Sequence, residues 1–170
     1  TGFESEVRRY AASLNQILAQ APVQDTLTDW LSDAEPVRLP TPVPHPEFAT
    51  SNSISPELAA LVIGRFAPPA AHIRALASND TLILGIPGEP TGLFARRLSA
   101  VATQNGFKNV LILSHAGGWA GYLLTRDDYE RGGYEATLSF YGPDVVDAFA
   151  AATDQLTRRV RSGLTRKLRS

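Results

Sequence analysis

Two apolar runs unbroken by charge, Leu82-Ile83-Leu84-Gly85-Ile86 and Val110-Leu111-Ile112-Leu113, stand out from a chain that elsewhere follows helical or alternating spacing. Runs of this length bounded by turn residues predict strands, here over 81–86 and 108–114. Their continuous apolar character predicts burial on both faces. Between them Thr91 is placed to cap a helix whose Leu93, Phe94, Leu98, Val101 and Ala102 form one face, and Gly106 stops it. Strand, helix, strand is a βαβ unit at about 81–114, with parallel strands and a right-handed crossover. In such sheets ligands gather beyond the carboxyl ends of the strands.

The rest of the pattern surrounds this unit. Val7, Tyr10, Ala11, Leu14, Ile17 and Leu18 recur at helical spacing, predicting an amphipathic helix over 4–20 that Pro22 closes. Residues 24–34 read as a short helical turn carrying Leu27, Trp30 and Leu31. The segment 36–47 is proline-rich, with five prolines from Pro36 to Pro46. Proline cannot donate to an interior ladder, so Val37, Leu39 and Val43 predict an edge strand or an extended segment packed on the body. Ser55-Pro56-Glu57 starts a helix that runs to about Phe66. Ile73–Leu76 predicts a short strand, turned by Ser78-Asn79-Asp80 into the strand at 81–86. Thr125-Arg126-Asp127-Asp128 resembles a capped helical turn, and Tyr134–Phe140 alternates like a strand. Pro143 opens a last helix through Val145, Val146, Phe149, Leu156 and Val160, ending near Gly163. The fold class is therefore α/β, a mixed sheet flanked by helices. At 170 residues the chain is long enough for a single domain with its own core.

Composition narrows the functions. A formal net charge of -1, with 19% charged residues, gives no electrostatic footprint for nucleic acid. No apolar run approaches the roughly 18 residues that span a bilayer. Without cysteine, disulfides, thiolate catalysis and cysteine-ligated zinc are excluded. No secretory signal is visible. A chain that opens on Thr1-Gly2-Phe3-Glu4 without methionine is expected to follow a processing boundary or a longer upstream segment. The compartment stays open.

The strand ends carry the candidate chemistry. Glu89 lies just past Ile86 on a Pro-Gly turn. Tyr122 lies beyond the second strand, on a loop containing Gly117, Gly118 and Gly121. If the strands are neighbours, a carboxylate and a phenol face one crevice. A glutamate at a helix N-terminus also has a purely electrostatic reason to be there, and tyrosines in glycine-rich loops often only pack.

Ile86-Pro87-Gly88-Glu89-Pro90-Thr91 with Arg96-Arg97-Leu98 resembles the Pro-Gly-Glu-x-Thr…Gly-Arg-Arg-Leu segment of the neutral/alkaline (non-lysosomal) ceramidases. Gly121-Tyr122-Leu123-Leu124-Thr125-Arg126-Asp127-Asp128-Tyr129, running on to Gly133-Tyr134-Glu135-Ala136, is similar to that family's Tyr-x-x-Thr-x-Glu-Glu-Tyr…Arg-Tyr-Glu-Ala, and Tyr141-Gly142-Pro143 to its Tyr-Gly-Pro. Order agrees, as does the 12-residue step from Tyr122 to Tyr134. Together these motifs are far more specific than any one of them. The clear resemblance runs from about residue 82 to 147.

The resemblance implies a zinc-dependent amidohydrolase that cleaves the N-acyl bond of a sphingolipid or related acyl amide. It assigns Glu89 and Tyr122 as Zn2+ ligands and Tyr134 as the catalytic residue that stabilises the oxyanion. The family's two histidine ligands and its serine lie upstream of the matching part. The chain is then the C-terminal part of such an enzyme, with an upstream region of the same protein as the partner supplying histidines. Family character also points to a secreted, periplasmic or membrane-surface setting and to peripheral membrane contact. Three positions depart from the pattern: Gly92 replaces a threonine, Ala95 a glycine, and Gly118-Trp119 stands where Asn-x-Tyr is usual. The alternative is a ceramidase-like domain without metal that serves in binding or assembly.

Other candidates carry less. His115 directly follows the second strand, and a set of Glu89, His115 and Tyr122 stays open beside a backbone-bonding role. His45 and His72 read as structural or surface residues. Ser114 and His115 are adjacent in a strand and point to opposite faces, so they are not a nucleophile and its base. Pro87–Gly92 lacks the Lys-Ser/Thr of a P-loop. Arg96 and Arg97 read as solvated. The basic tail from Arg158 to Arg169 reads as a cation-stabilised helix end, with contact to anionic lipid as the other option.

Overall fold

A computed structural model describes residues 2–20 and 30–167. The elements are α1 (Gly2–Gln20), β1 (Leu31–Val37), α2 (Pro46–Ser51), α3 (Pro56–Phe66), β2 (Ala71–Ser78), β3 (Thr81–Gly85), β4 (Glu89–Pro90), α4 (Gly92–Gln104), β5 (Asn109–Leu113), β6 (Tyr122–Leu123), α5 (Arg126–Arg131), α6 (Tyr134–Thr137) and α7 (Val145–Lys167).

Asn79 takes a φ of 51°, a left-handed conformation that asparagine tolerates, so β2 folds straight back on β3 with Ala75 opposite Leu84. β1 pairs antiparallel along the outer edge of β2, and Pro36 sits there opposite His72, where a missing donor costs least. β3 then pairs parallel with β5 after the α4 crossover, giving a mixed sheet of order β1-β2-β3-β5. This is the α/β class that the sequence pattern predicts. Thr91 and Ser55 cap α4 and α3 with side-chain acceptors, to the Phe94 and Leu58 amides respectively.

The core lies between the sheet and the pair α4 and α7. Phe94, Leu98, Phe149, Leu156 and Val160 meet Ile73, Leu82 and Leu84, all essentially without solvent exposure. Arginines of α7 fasten that helix to the sheet. Arg159 pairs with Asp33 and Glu35 on β1, and Arg161 with Asp80 in the β2–β3 turn. Arg158 pairs with Asp154 one turn back. Arg159 and Arg161 thus hold the helix against the sheet, while Arg158 is engaged within it. No helix among the described residues is long and apolar enough to cross a membrane.

Four expectations need correction. Leu31–Ala34 belong to strand β1, not to a helical turn, and 24–29 lie outside the described residues. β5 and β3 are not buried on both faces: α4 and α7 cover one side, and Leu111 and Leu113 on the other are each 50% exposed. Tyr134–Thr137 is a helical turn, not the start of a strand. Gly132 and Gly133, with φ of 76° and 94°, swing the chain into it, and only Ser139 and Tyr141 beyond it make bridge pairs. A short period-two pattern cannot separate these cases. Finally, α7 continues through Gly163 to Lys167, because Leu164 still finds core to bury in. α1 is helical as its spacing predicts, and its described side chains are exposed; those of Tyr10, Leu14, Ile17 and Leu18 lie outside the described set.

Candidate functional site

The two strand ends run on beside each other as hydrogen-bonded backbone. Ile86 N–H donates to Leu113 O, Ala116 N–H to Ile86 O, His115 N–H to Gly88 O and Ala120 N–H to Pro87 O, at 2.7–2.9 Å. The short strands β4 and β6 then pair in parallel, with Glu89 N–H bonded to Gly121 O and Thr91 N–H to Leu123 O, both at 3.0 Å. Glu89 and Tyr122 are direct partners in that register. The pairing requires a close approach. A Cβ on Gly88 would lie 2.9 Å from the Gly121 carbonyl oxygen. Gly121 itself holds a φ of 77° against the Phe140 ring.

The side chains form one cluster. The Tyr122 and Tyr134 rings meet edge-on at 5.9 Å, and Trp119 meets Tyr122 edge-on at 5.8 Å. His115 stacks on Trp119 at 4.9 Å, and its Nε2 lies 3.6 Å from a Glu89 carboxylate oxygen. His115 holds this place with a φ of 55°. Desolvation beside the neighbouring rings raises the Tyr122 phenol above its ordinary value. The Glu89 carboxylate, Tyr134 and Glu135 push it the same way.

Spacing brings Glu89 and Tyr122 together and the resemblance adds Tyr134; the fold sets Glu89 beside Tyr122 and the Tyr134 ring against the Tyr122 ring. Sequence reasoning missed the residue that ties the site. Asp128 accepts from the Thr91 hydroxyl at 2.7 Å and the Thr125 hydroxyl at 3.1 Å, so one carboxylate joins the caps of α4 and α5 just beyond β4 and β6. Its signal was present: Thr125-x-x-Asp128 is a capping-box spacing. Trp119 and the stacking role of His115 gave no such signal. Burial pushes the Asp128 carboxyl up, but the two threonine hydroxyls and Arg131 outweigh it and its pKa is lowered overall. Because the folded pKa is below the unfolded one, the stabilisation is fully present above about pH 4 and is lost as pH falls through the folded value. Asp128→Ala should cost about 1.5–3 kcal/mol at pH 7 by urea unfolding. That difference should shrink below about pH 4.

The other expectations fall into place around the cluster. His45 is buried, accepting from the Glu47 amide and meeting the Tyr129 carbonyl at 3.1 Å through Nε2, which makes it structural. Tyr141 donates to the Pro68 carbonyl, and burial pushes its phenol up to about 12. Arg96, Arg97 and His72 are exposed. Among the described residues no cluster of three or more His, Cys, Asp or Glu side chains is arranged to hold a metal. Glu89 and Tyr122 are oxygen donors of the type zinc accepts, but they are two where a catalytic site takes three.

The class so defined is an α/β domain presenting a carboxylate and two phenols beyond adjoining parallel strand ends. No family model matches the chain. Neutral ceramidase 1 of Arabidopsis thaliana is 29% identical to it over 103 residues, covering 55% of this chain and 13% of that protein. The solved neutral ceramidase of Pseudomonas aeruginosa superposes with a TM-score of 0.66 at 21% identity, over 90% of this chain and 31% of that one. A solved ceramidase complexed with C2 gives a TM-score of 0.66 at 17% identity, over 90% of this chain and 33% of that one. The chain is related to the neutral ceramidase family and has a ceramidase-like fold, and it spans about a third of the solved relatives' length.

Proposed function

We propose that the chain is the C-terminal part of a zinc-dependent, ceramidase-like amidohydrolase acting on the N-acyl bond of a sphingolipid or related acyl amide. The observation that carries this reading is the direct pairing of Glu89 with Tyr122, with Tyr134 against the same phenol. Glu89 and Tyr122 hold the metal, and upstream histidines of the same protein complete its ligands. When bound, zinc supplies Lewis acidity toward the amide carbonyl and acidifies water. The chain's own residues do the rest. Tyr134, 71% exposed at the start of α6, donates its phenolic O–H to the oxygen that gains charge as the carbonyl is attacked. The zipped β4–β6 backbone and the Asp128 clamp keep Glu89 and Tyr122 in register. Trp119 and Tyr134 give the site an apolar rim suited to a lipid amide.

His115 supports a second reading of the ligand set, because its Nε2 already stands 3.6 Å from Glu89. In that case His115→Ala lowers zinc content as strongly as Glu89→Gln does. In the first reading zinc stays stoichiometric. The function itself is tested by release of fatty acid from an N-acylsphingosine by the protein expressed from its whole reading frame. The expected result is turnover that a chelator abolishes and added Zn2+ restores. Intact substrate after prolonged incubation with the zinc-loaded protein would contradict it.

A further inference from the structure

The chain between β5 and β6 gives the candidate site a wall of backbone and apolar surface. Across residues 116–121, two alanines and three glycines surround Trp119, and the indole N–H is the only hydrogen-bonding side-chain group. At Gly117 no side chain fits, because a Cβ there would lie 2.0 Å from the Arg74 guanidinium. Trp119 is 43% exposed, stacks on His115 at 4.9 Å, and crosses the Tyr122 ring at 5.8 Å and 77°. Tyr134 crosses the same Tyr122 ring at 5.9 Å and 74°. A recess of about 100 Å³ opens beside the indole, lined by Pro68, Ala70, Pro87 and Ala120, with His72 the one ionisable side chain among its lining residues. Polar chemistry is thus gathered at Glu89, Tyr122 and Tyr134, and flat apolar area at Trp119. A large ring already held by a stacked imidazole offers contact area at little cost in side-chain entropy.

Resting on the amidohydrolase reading, we propose that Trp119 is a specificity-determining residue: an alkyl chain flanking the scissile amide lies along its indole, and recognition there is by apolar contact and not through substrate hydroxyls. The substrate class that follows is a long-chain acyl amide whose sphingoid hydroxyl groups are dispensable. The departure at Gly118-Trp119, where Asn-x-Tyr is usual, runs the same way, since a carboxamide and a phenol have left this wall. Magnitudes separate the two modes of recognition. A site built to bond a substrate hydroxyl rejects the analogue lacking it by about 10,000- to 100,000-fold, whereas an apolar wall discriminates by only about 10- to 200-fold per methylene.

The test uses the protein expressed from its whole reading frame, with zinc content measured on every sample. An N-acylsphingosine and a hydroxyl-free N-acylalkylamine of the same chain lengths should be cleaved with kcat/KM values within about 200-fold of each other. A larger preference for the hydroxylated substrate would overturn the proposal. Trp119→Ala should raise KM for the long-chain amide at least about 10-fold at nearly unchanged kcat, and leave a short-chain acyl anilide unaffected. Trp119→Phe should keep the wild-type preference. Equal losses on both substrates in Trp119→Ala would make the residue a structural support and overturn its role in specificity. A second readout needs no turnover. A long-chain alkyl ether brominated along its chain has no amide to cleave, and it should quench the tryptophan emission of the wild type more than that of Trp119→Phe. Equal quenching in the two proteins would overturn the contact. Wild-type protein that cleaves no amide while the ether still quenches Trp119 would leave the chain contact standing and remove the hydrolase reading.

Discussion

Tyr134→Phe should lower turnover on an N-acylsphingosine by about 100- to 1,000-fold while leaving the bound zinc unchanged. The substitution removes one hydroxyl and keeps the ring, so the edge contact with Tyr122 at 5.9 Å persists and the wall of the site keeps its shape. What is lost is the O–H that would face the developing negative charge, an interaction worth most in the transition state and little in the ground state. Turnover should therefore fall while KM changes little. Steady-state kinetics with metal analysis on the same preparation separates the outcomes. Loss of zinc would make Tyr134 a ligand or a structural support, and unchanged turnover would remove it from the reaction.

The second large effect is on stability. Phe149 on α7 has no solvent exposure and meets Phe94 of α4 edge-to-face at 5.4 Å, so it joins the two helices where both rest on the sheet. Phe149→Ala deletes a ring that neighbours fixed to β2 and β3 cannot close over. The cost should be about 3–5 kcal/mol in chemical denaturation, transfer and cavity terms together. Against a typical domain stability of about 5–15 kcal/mol, that is enough to leave much of the protein unfolded near its growth temperature. A loss under about 1 kcal/mol would mean that α7 is not docked on the sheet in solution.

These consequences were unequally legible in the sequence. The βαβ unit was readable because its two strands are unbroken apolar runs and the helix between them has one apolar face, capped by Thr91 and stopped at Gly106. Glu89 and Tyr122 could be placed at strand ends from spacing, but their direct pairing could not, since it depends on Gly88 and Gly121 letting two backbones touch. β1 escaped because Leu31–Val37 includes a proline and two acids, a composition that only an edge position allows. Tyr134 was found by resemblance and given the wrong local structure, because two glycines at positive φ decide the turn before it. The open sheet face was misread for a physical reason. Leu111 and Leu113 are apolar as interior residues are, yet each is half exposed among the described residues. Asp128 was overlooked because its second partner, Thr91, is 37 residues away.

The central claim is that Glu89 and Tyr122 are metal ligands, and metal stoichiometry tests it most directly. Zinc is measured by mass spectrometry in the protein expressed from its whole reading frame, beside Glu89→Gln and Tyr122→Phe variants with native circular dichroism. One zinc per chain is expected in the wild type. In either variant affinity should fall by more than the roughly 10- to 100-fold that outer-shell changes cause. Zinc retained at wild-type stoichiometry and affinity in both variants would contradict the account.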